Sequence, residues 1–104
     1  MSVLMNLAMF PTDKLGSKSK EVSEVLSIIK NSGYKYQLTS MSTIVEAKTL
    51  KKLLDLVNLC YLKLEELECN RVYISVNFDA RTSGEDRISS KIKSVEEHIG
   101  DVSK

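Results

Sequence analysis

Gly33–Ala47 reads GYKYQLTSMSTIVEA, and its alternation decides the fold. The stretch predicts two short strands joined at Ser40-Met41-Ser42. Tyr34, Tyr36 and Leu38 share one face of the first strand, with Lys35, Gln37 and Thr39 on the other. In the second, Thr43 and Val45 share a face and Ile44 and Glu46 lie opposite. Glu46 carries the most information. A carboxylate between Val45 and Ala47 in a β-prone run needs a partner or water, because an unpaired charge is expensive to bury.

Helical patterns flank this pair. On the N-terminal side, Val22, Val25, Leu26 and Ile29 recur at the spacing of one apolar stripe, and Gly33 suits the C′ position of that helix. The polar loop Thr12 to Lys18 carries Gly16 and leads to an expected N-cap at Ser17 or Ser19. Before it, Val3 to Phe10 alternates as a first strand, ended by Pro11. On the C-terminal side, Thr49 is placed to cap a second helix with Leu50, Leu53, Leu54, Val57, Cys60, Tyr61 and Leu64 on its stripe. Leu56, Leu59 and Leu62 widen that stripe. Either the helix is buried in a thick core or it also meets another subunit, and both readings stay open.

Asn70 to Asp79 reads as the last strand, with Val72, Ile74, Val76 and Phe78 inward and Arg71, Tyr73, Ser75, Asn77 and Asp79 outward. A polar loop, Ala80 to Glu85, precedes a third helix marked by Ile88, Ile92, Val95 and Ile99 and stopped by Gly100. The order β-α-β-β-α-β plus a terminal helix predicts an α+β, ferredoxin-like fold. This is a four-stranded antiparallel sheet with two helices on one face, as one domain over residues 1–104. The helices cover Val3, Met5, Leu7, Val72, Ile74 and Val76. The other face keeps Leu4, Asn6, Ala8, Phe10, Gln37, Thr39, Ile44, Glu46, Tyr73, Ser75 and Asn77. That mixture is too apolar for plain surface and too polar for core, so the face packs on a second sheet or holds a small polar ligand.

Composition narrows the function. Fifteen basic and fourteen acidic side chains leave a formal charge of +1, which argues against nucleic acid or an anionic membrane as partner. No apolar run nears the ~20 residues that span a bilayer. The start, MSVLMNLAMF, is short and lacks the basic region of a signal peptide, so it reads as a strand. Two cysteines, Cys60 and Cys69, without CxxC spacing read as reduced apolar side chains of a cytoplasmic protein.

Several chemistries drop out. There is no GxGxxG or Walker loop, and no Cys/His cluster with metal spacing, so neither a cofactor nor a metal is expected. The one histidine, His98, sits among Glu96 and Glu97 near a helix C-terminus, and no nucleophile–base pair is recognisable. No catalytic residue is assigned. An acylphosphatase-like loop after the first strand would carry an arginine, and Pro11 to Gly16 has none. An RNA-recognition sheet would pair Phe10 and Tyr73 with a basic excess, which is missing. The remaining set is Asn6, Gln37, Thr39, Glu46, Ser75 and Asn77, joined by Tyr36, Phe10 or Tyr73 as stacking rings. A carboxylate accepting from an amine, beside amides that match donor–acceptor edges, suits a flat uncharged heterocycle. The same residues also suit a satisfied sheet–sheet interface.

SVLMNLAMFP, GYKYQLTSMSTIVEA, RVYISVNFDAR and KIKSVEEHIG, in that order, resemble the small YkoF-like thiamine-binding family. The most specific piece is YQLTxMxTxxE at Tyr36 to Glu46. The resemblance implies a ferredoxin-like protomer that oligomerises through its sheet, commonly as a dimer of dimers. It also implies binding of thiamine or its hydroxymethyl-aminopyrimidine part without catalysis. Glu46 matches the family's acid at the end of the third strand, and Thr43 and the Gln37–Thr39 region match its neighbours. Ser42 and Ala47 stand where the family tends to have glycine, and their side chains narrow a pocket there. On this reading Glu46 accepts a hydrogen bond from the ligand's 4-amino group and Asn77 or Gln37 reads a ring nitrogen. An aromatic ring, or Asp79, faces the thiazolium charge of thiamine. With no glycine-rich anion nest, a neutral or singly charged ligand fits better than a diphosphate. The competing reading is a structural or regulatory oligomer without a small-molecule ligand.

Overall fold

The computed structural model describes residues 1–13, 16 and 18–104. Its elements are β1 (Ser2–Pro11), α1 (Ser19–Asn31), β2 (Lys35–Leu38), β3 (Thr43–Ala47), α2 (Leu50–Glu66), β4 (Val72–Arg81) and α3 (Arg87–Ile99). The sheet runs β2-β3-β1-β4 with every pairing antiparallel. This is the ferredoxin-like order with an added C-terminal helix.

The period-2 pattern of β1 is what fixes the layers. Val3, Met5, Leu7 and Met9 are all buried. Across the sheet they meet Ala47, Val45 and Thr43 on one side and Ala80, Phe78, Val76 and Ile74 on the other. α1 adds Val25 and Ile29 to this layer, and α2 adds Leu53, Leu56, Cys60 and Leu64. Burying each of these aliphatic side chains contributes roughly 1.5–3 kcal/mol. Leu54, Leu59 and Leu62 remain about half exposed. The helix therefore needs only a narrow stripe for this chain's core, with Leu56 part of it and the other added leucines outside.

Helix ends follow local chemistry, with corrections. Thr49 caps α2 as expected, its side chain accepting the Lys52 N–H at 3.2 Å. Gly33 follows α1 with φ +83°, a left-handed conformation natural to glycine. Gly100 ends α3 at φ +86°. Of the two expected caps of α1, Ser17 lies outside the described residues, and Ser19 is the first helical residue rather than the cap. β4 starts two residues later than expected and extends to Arg81. Asn70 N–H is held by the Asp13 carboxylate, while Ala80 and Arg81 pair with Val3 and Ser2. β2 stops at Leu38 because Thr39 serves the following turn.

Candidate functional site

Directly paired residues of neighbouring strands share a face, so the register sorts the side away from α1 and α2 into rungs. One rung reads Lys35–Glu46–Leu4–Asp79 across all four strands, and the next reads Gln37–Ile44–Asn6–Asn77. Ala8–Ser75 and Phe10–Tyr73 continue the face, the last pair with ring centroids 5.3 Å apart. Successive rungs are about 7 Å apart, two residues at the rise of a strand.

α3 begins by crossing the first of these rungs. Glu46 Oε2 accepts the Ser2 hydroxyl at 2.6 Å and the Arg87 N–H at 3.0 Å, and Oε1 accepts the Ile88 N–H at 3.2 Å. A strand carboxylate thus caps a helix whose own N-cap residue, Asp86, makes no side-chain cap. Asp86 sits at φ +52° and pairs with Lys35 instead. The arrangement satisfies two of the orphan amides at a helix start and sets a negative charge at the positive end of its dipole. Arg87 closes the rung. Its buried guanidinium donates to the Ser2 carbonyl at 3.1 Å and the Asp79 carbonyl at 2.9 Å, and pairs with the Asp79 carboxylate.

Electrostatics follow from these contacts. Burial pushes the Glu46 carboxyl up, but the Ser2 hydroxyl, the Arg87 and Ile88 amides and the Lys35 charge outweigh it, leaving its pKa below the ordinary value. The group is ionised at neutral pH although only 8% exposed. A carboxylate offers about four acceptor positions. Three are taken from within the chain, and Oε1 carries a single bond.

The residues singled out from the sequence divide into three groups. Glu46, Asp79, Asn6, Gln37, Asn77 and Ser75 share the open face on adjacent rungs. Tyr36 and Thr43 do not join them: Tyr36 lies opposite Val45, and Thr43 opposite Leu7 and Leu38, on the helix side of the sheet. Thr39 lies beyond the end of β2 and staples the turn. Its hydroxyl donates to the Ser42 carbonyl at 2.8 Å and accepts the Met41 and Ser42 amides at 3.3 and 3.1 Å. On the open face, Asp79 is engaged by Arg87, whereas the side chains of Asn6, Gln37, Ser75 and Asn77 make no hydrogen bond among the described residues.

Two contributors were absent from the sequence reading, Ser2 and Arg87. An arginine directly after a polar loop, at the first position of a helix, was the available signal. Beside Glu46 an open cleft of about 500 Å³ is lined by Tyr34, Lys35, Ala47, Lys48, Lys52 and Asp86, among others. Ala47, one of the two expected departures from glycine, is part of that wall. Among the described residues, no group of three or more His, Cys, Asp and Glu side chains is placed to hold a metal. Nor, among them, is any helix long and apolar enough to cross a membrane.

Comparison with known proteins identifies relatives of the chain and of its fold. Residues 5–96 match the family model described as "Thiamine-binding protein". A UPF0045 protein of Methanothermobacter thermautotrophicus is 26% identical over 83 residues, covering 80% of this chain and 84% of that protein. The crystal structure of a hypothetical protein from Methanocaldococcus jannascii superposes with a TM-score of 0.81 at 25% identity, covering 92% of this chain and 97% of the other. A proposed thiamine biosynthesis/salvage protein from Thermotoga maritima has the same fold, with a TM-score of 0.79 at 20% identity and coverage of 91% and 99%.

Proposed function

The chain belongs to the thiamine-binding protein family, and on that premise we propose that it binds thiamine or its hydroxymethyl-aminopyrimidine part without catalysing a reaction. The observation that carries this reading is the pair of adjacent rungs. Three amides and a hydroxyl lie unengaged on an open face beside a buried, ionised carboxylate with acceptor capacity left on Oε1. In the proposed pose the aminopyrimidine ring lies over Ile44. Its 4-amino group donates to Glu46, and Asn6, Asn77 or Gln37 meets the ring nitrogens. The thiazolium of whole thiamine extends toward Ser75 and the Phe10–Tyr73 pair, whose rings attract a cation. Asp79 is held by Arg87 and is not needed for that role.

A flat sheet face holds a small molecule firmly only when something covers it. We therefore propose that a second copy's sheet closes the site, in a dimer that pairs again to a tetramer of one-domain cytoplasmic protomers. The apolar part of the open face, with Tyr73 at 54% exposure, supports this. A second placement is favoured by the 500 Å³ cleft, which lies on the β2 side of the same carboxylate. Titration calorimetry with the hydroxymethyl-aminopyrimidine separates the two. Asn6→Ala and Asn77→Ala weaken binding in the first placement, and Lys48→Ala weakens it only in the second. A wild-type protein that binds neither the pyrimidine nor thiamine is instead the structural oligomer, its open face serving assembly alone.

A further inference from the structure

The start of α3 touches three strands through one rung: Asp86 meets Lys35, the amides of Arg87 and Ile88 meet Glu46, and the Arg87 guanidinium meets Asp79. Little else secures this helix. Further along it, Val95 is 41% and Ile99 72% exposed, so the C-terminal half of its apolar stripe is only partly covered. Glu46 in turn depends on α3, which supplies two of its three hydrogen bonds. The carboxylate and the helix start therefore hold each other in place.

From this juxtaposition we infer that Arg87 is a positioning residue of the ligand site: by docking the first turn of α3 across the Lys35–Asp79 rung it fixes the Glu46 carboxylate, so that ligand binding and α3 docking reinforce one another. The inference rests on the proposed function. Arg87 reaches no ligand itself, because the residue is only 7% exposed and its guanidinium faces Ser2 and Asp79. It acts at a distance. With α3 docked, Glu46 keeps one oriented acceptor position for an incoming amine. With α3 released, the carboxylate rotates freely and is hydrated, and the ligand must then order it. Coupling of this kind is reciprocal: whatever factor docking adds to affinity, ligand adds to docking.

The experiment combines calorimetric titration of the hydroxymethyl-aminopyrimidine with amide hydrogen exchange at Arg87 and Ile88. Saturating ligand slows exchange of both amides in the wild type. Arg87→Ala weakens binding about tenfold, within the usual range of such coupling, and Arg87→Lys, which keeps a cation for Asp79, recovers part of the loss. In the protein without ligand, Glu46→Gln speeds exchange of the same two amides. Wild-type binding that Arg87→Ala leaves unchanged, or exchange at Arg87 and Ile88 that ligand does not slow, overturns the inference while the proposed function stands. Absence of binding by the wild type overturns the function, and unaltered exchange in Glu46→Gln removes the link between the acid and the helix whatever the ligand does.

Discussion

Glu46, near the end of β3, accepts the backbone N–H of Arg87 at 3.0 Å across a separation of 41 residues. This bond joins β3 to the start of α3 and makes a strand side chain the cap of a helix it does not adjoin in sequence. The acid thereby has a structural duty within the chain as well as its proposed duty toward a ligand.

The structural duty is measurable. Glu46→Ala leaves the Arg87 and Ile88 amides without their acceptor and removes the partner of a buried hydroxyl on Ser2. Such losses are worth about 1–3 kcal/mol. Urea unfolding is expected to show a lower midpoint of that size, with Glu46→Gln intermediate because its carbonyl still accepts one amide.

The contribution of Glu46 depends on pH in a defined direction. Its folded-state pKa lies below the ordinary 4.5, so its stabilisation is fully present above that value and is lost as pH falls through the lowered folded value. The gap in urea midpoint between wild type and Glu46→Gln is therefore widest near neutrality and closes in acid. A gap that stayed constant across this window would place the charge elsewhere.

Thr39 tests whether turn and site are separate. Its hydroxyl takes part in four hydrogen bonds of the Thr39–Ser42 turn, the longest with the Ser42 hydroxyl. Thr39→Ala is expected to lower stability by about 1 kcal/mol and to leave affinity for the pyrimidine within about twofold of the wild type. A tenfold loss of binding with unchanged stability would return Thr39 to the ligand.

Cys60 supplies a control on the core. Burial among α1, α2 and the sheet pushes its thiol up to about 11, and only the thiolate is nucleophilic. Iodoacetamide at mildly alkaline pH is expected to spare Cys60 in the folded protein and to modify it once urea exposes it.

Most of the fold was legible because it depends on local periodicity. Alternation in Val3–Phe10 and Val72–Phe78 and the stripes of α1 and α2 name the layers without reference to anything distant. The site was legible only in part. Alternation correctly opposed Glu46 to Thr43, yet the expected ligand set mixed both faces: the register leaves Tyr36, named as a stacking ring, and Thr43, taken from the family resemblance, on the helix side. Thr39 read as a strand residue because one hydroxyl in a β-prone run looks like any other until the turn closes on it. Arg87 showed in the sequence only as an arginine opening a helix, with no sign of its partners. Its three acceptors belong to Ser2 and Asp79, and no local pattern announces a bond across 85 residues.

The central claim is that an amine from the ligand meets the buried carboxylate on the open face of the sheet. The most direct measurement compares the 4-amino pyrimidine with its 4-oxo counterpart, titrated into the unaltered wild-type protein, which leaves the fold and the α3 cap untouched. A hydrogen bond to a charged acceptor is worth about 1.5–3 kcal/mol, so the amine is predicted to bind roughly ten- to a hundredfold more tightly. Equal affinity for the two rings would contradict the account.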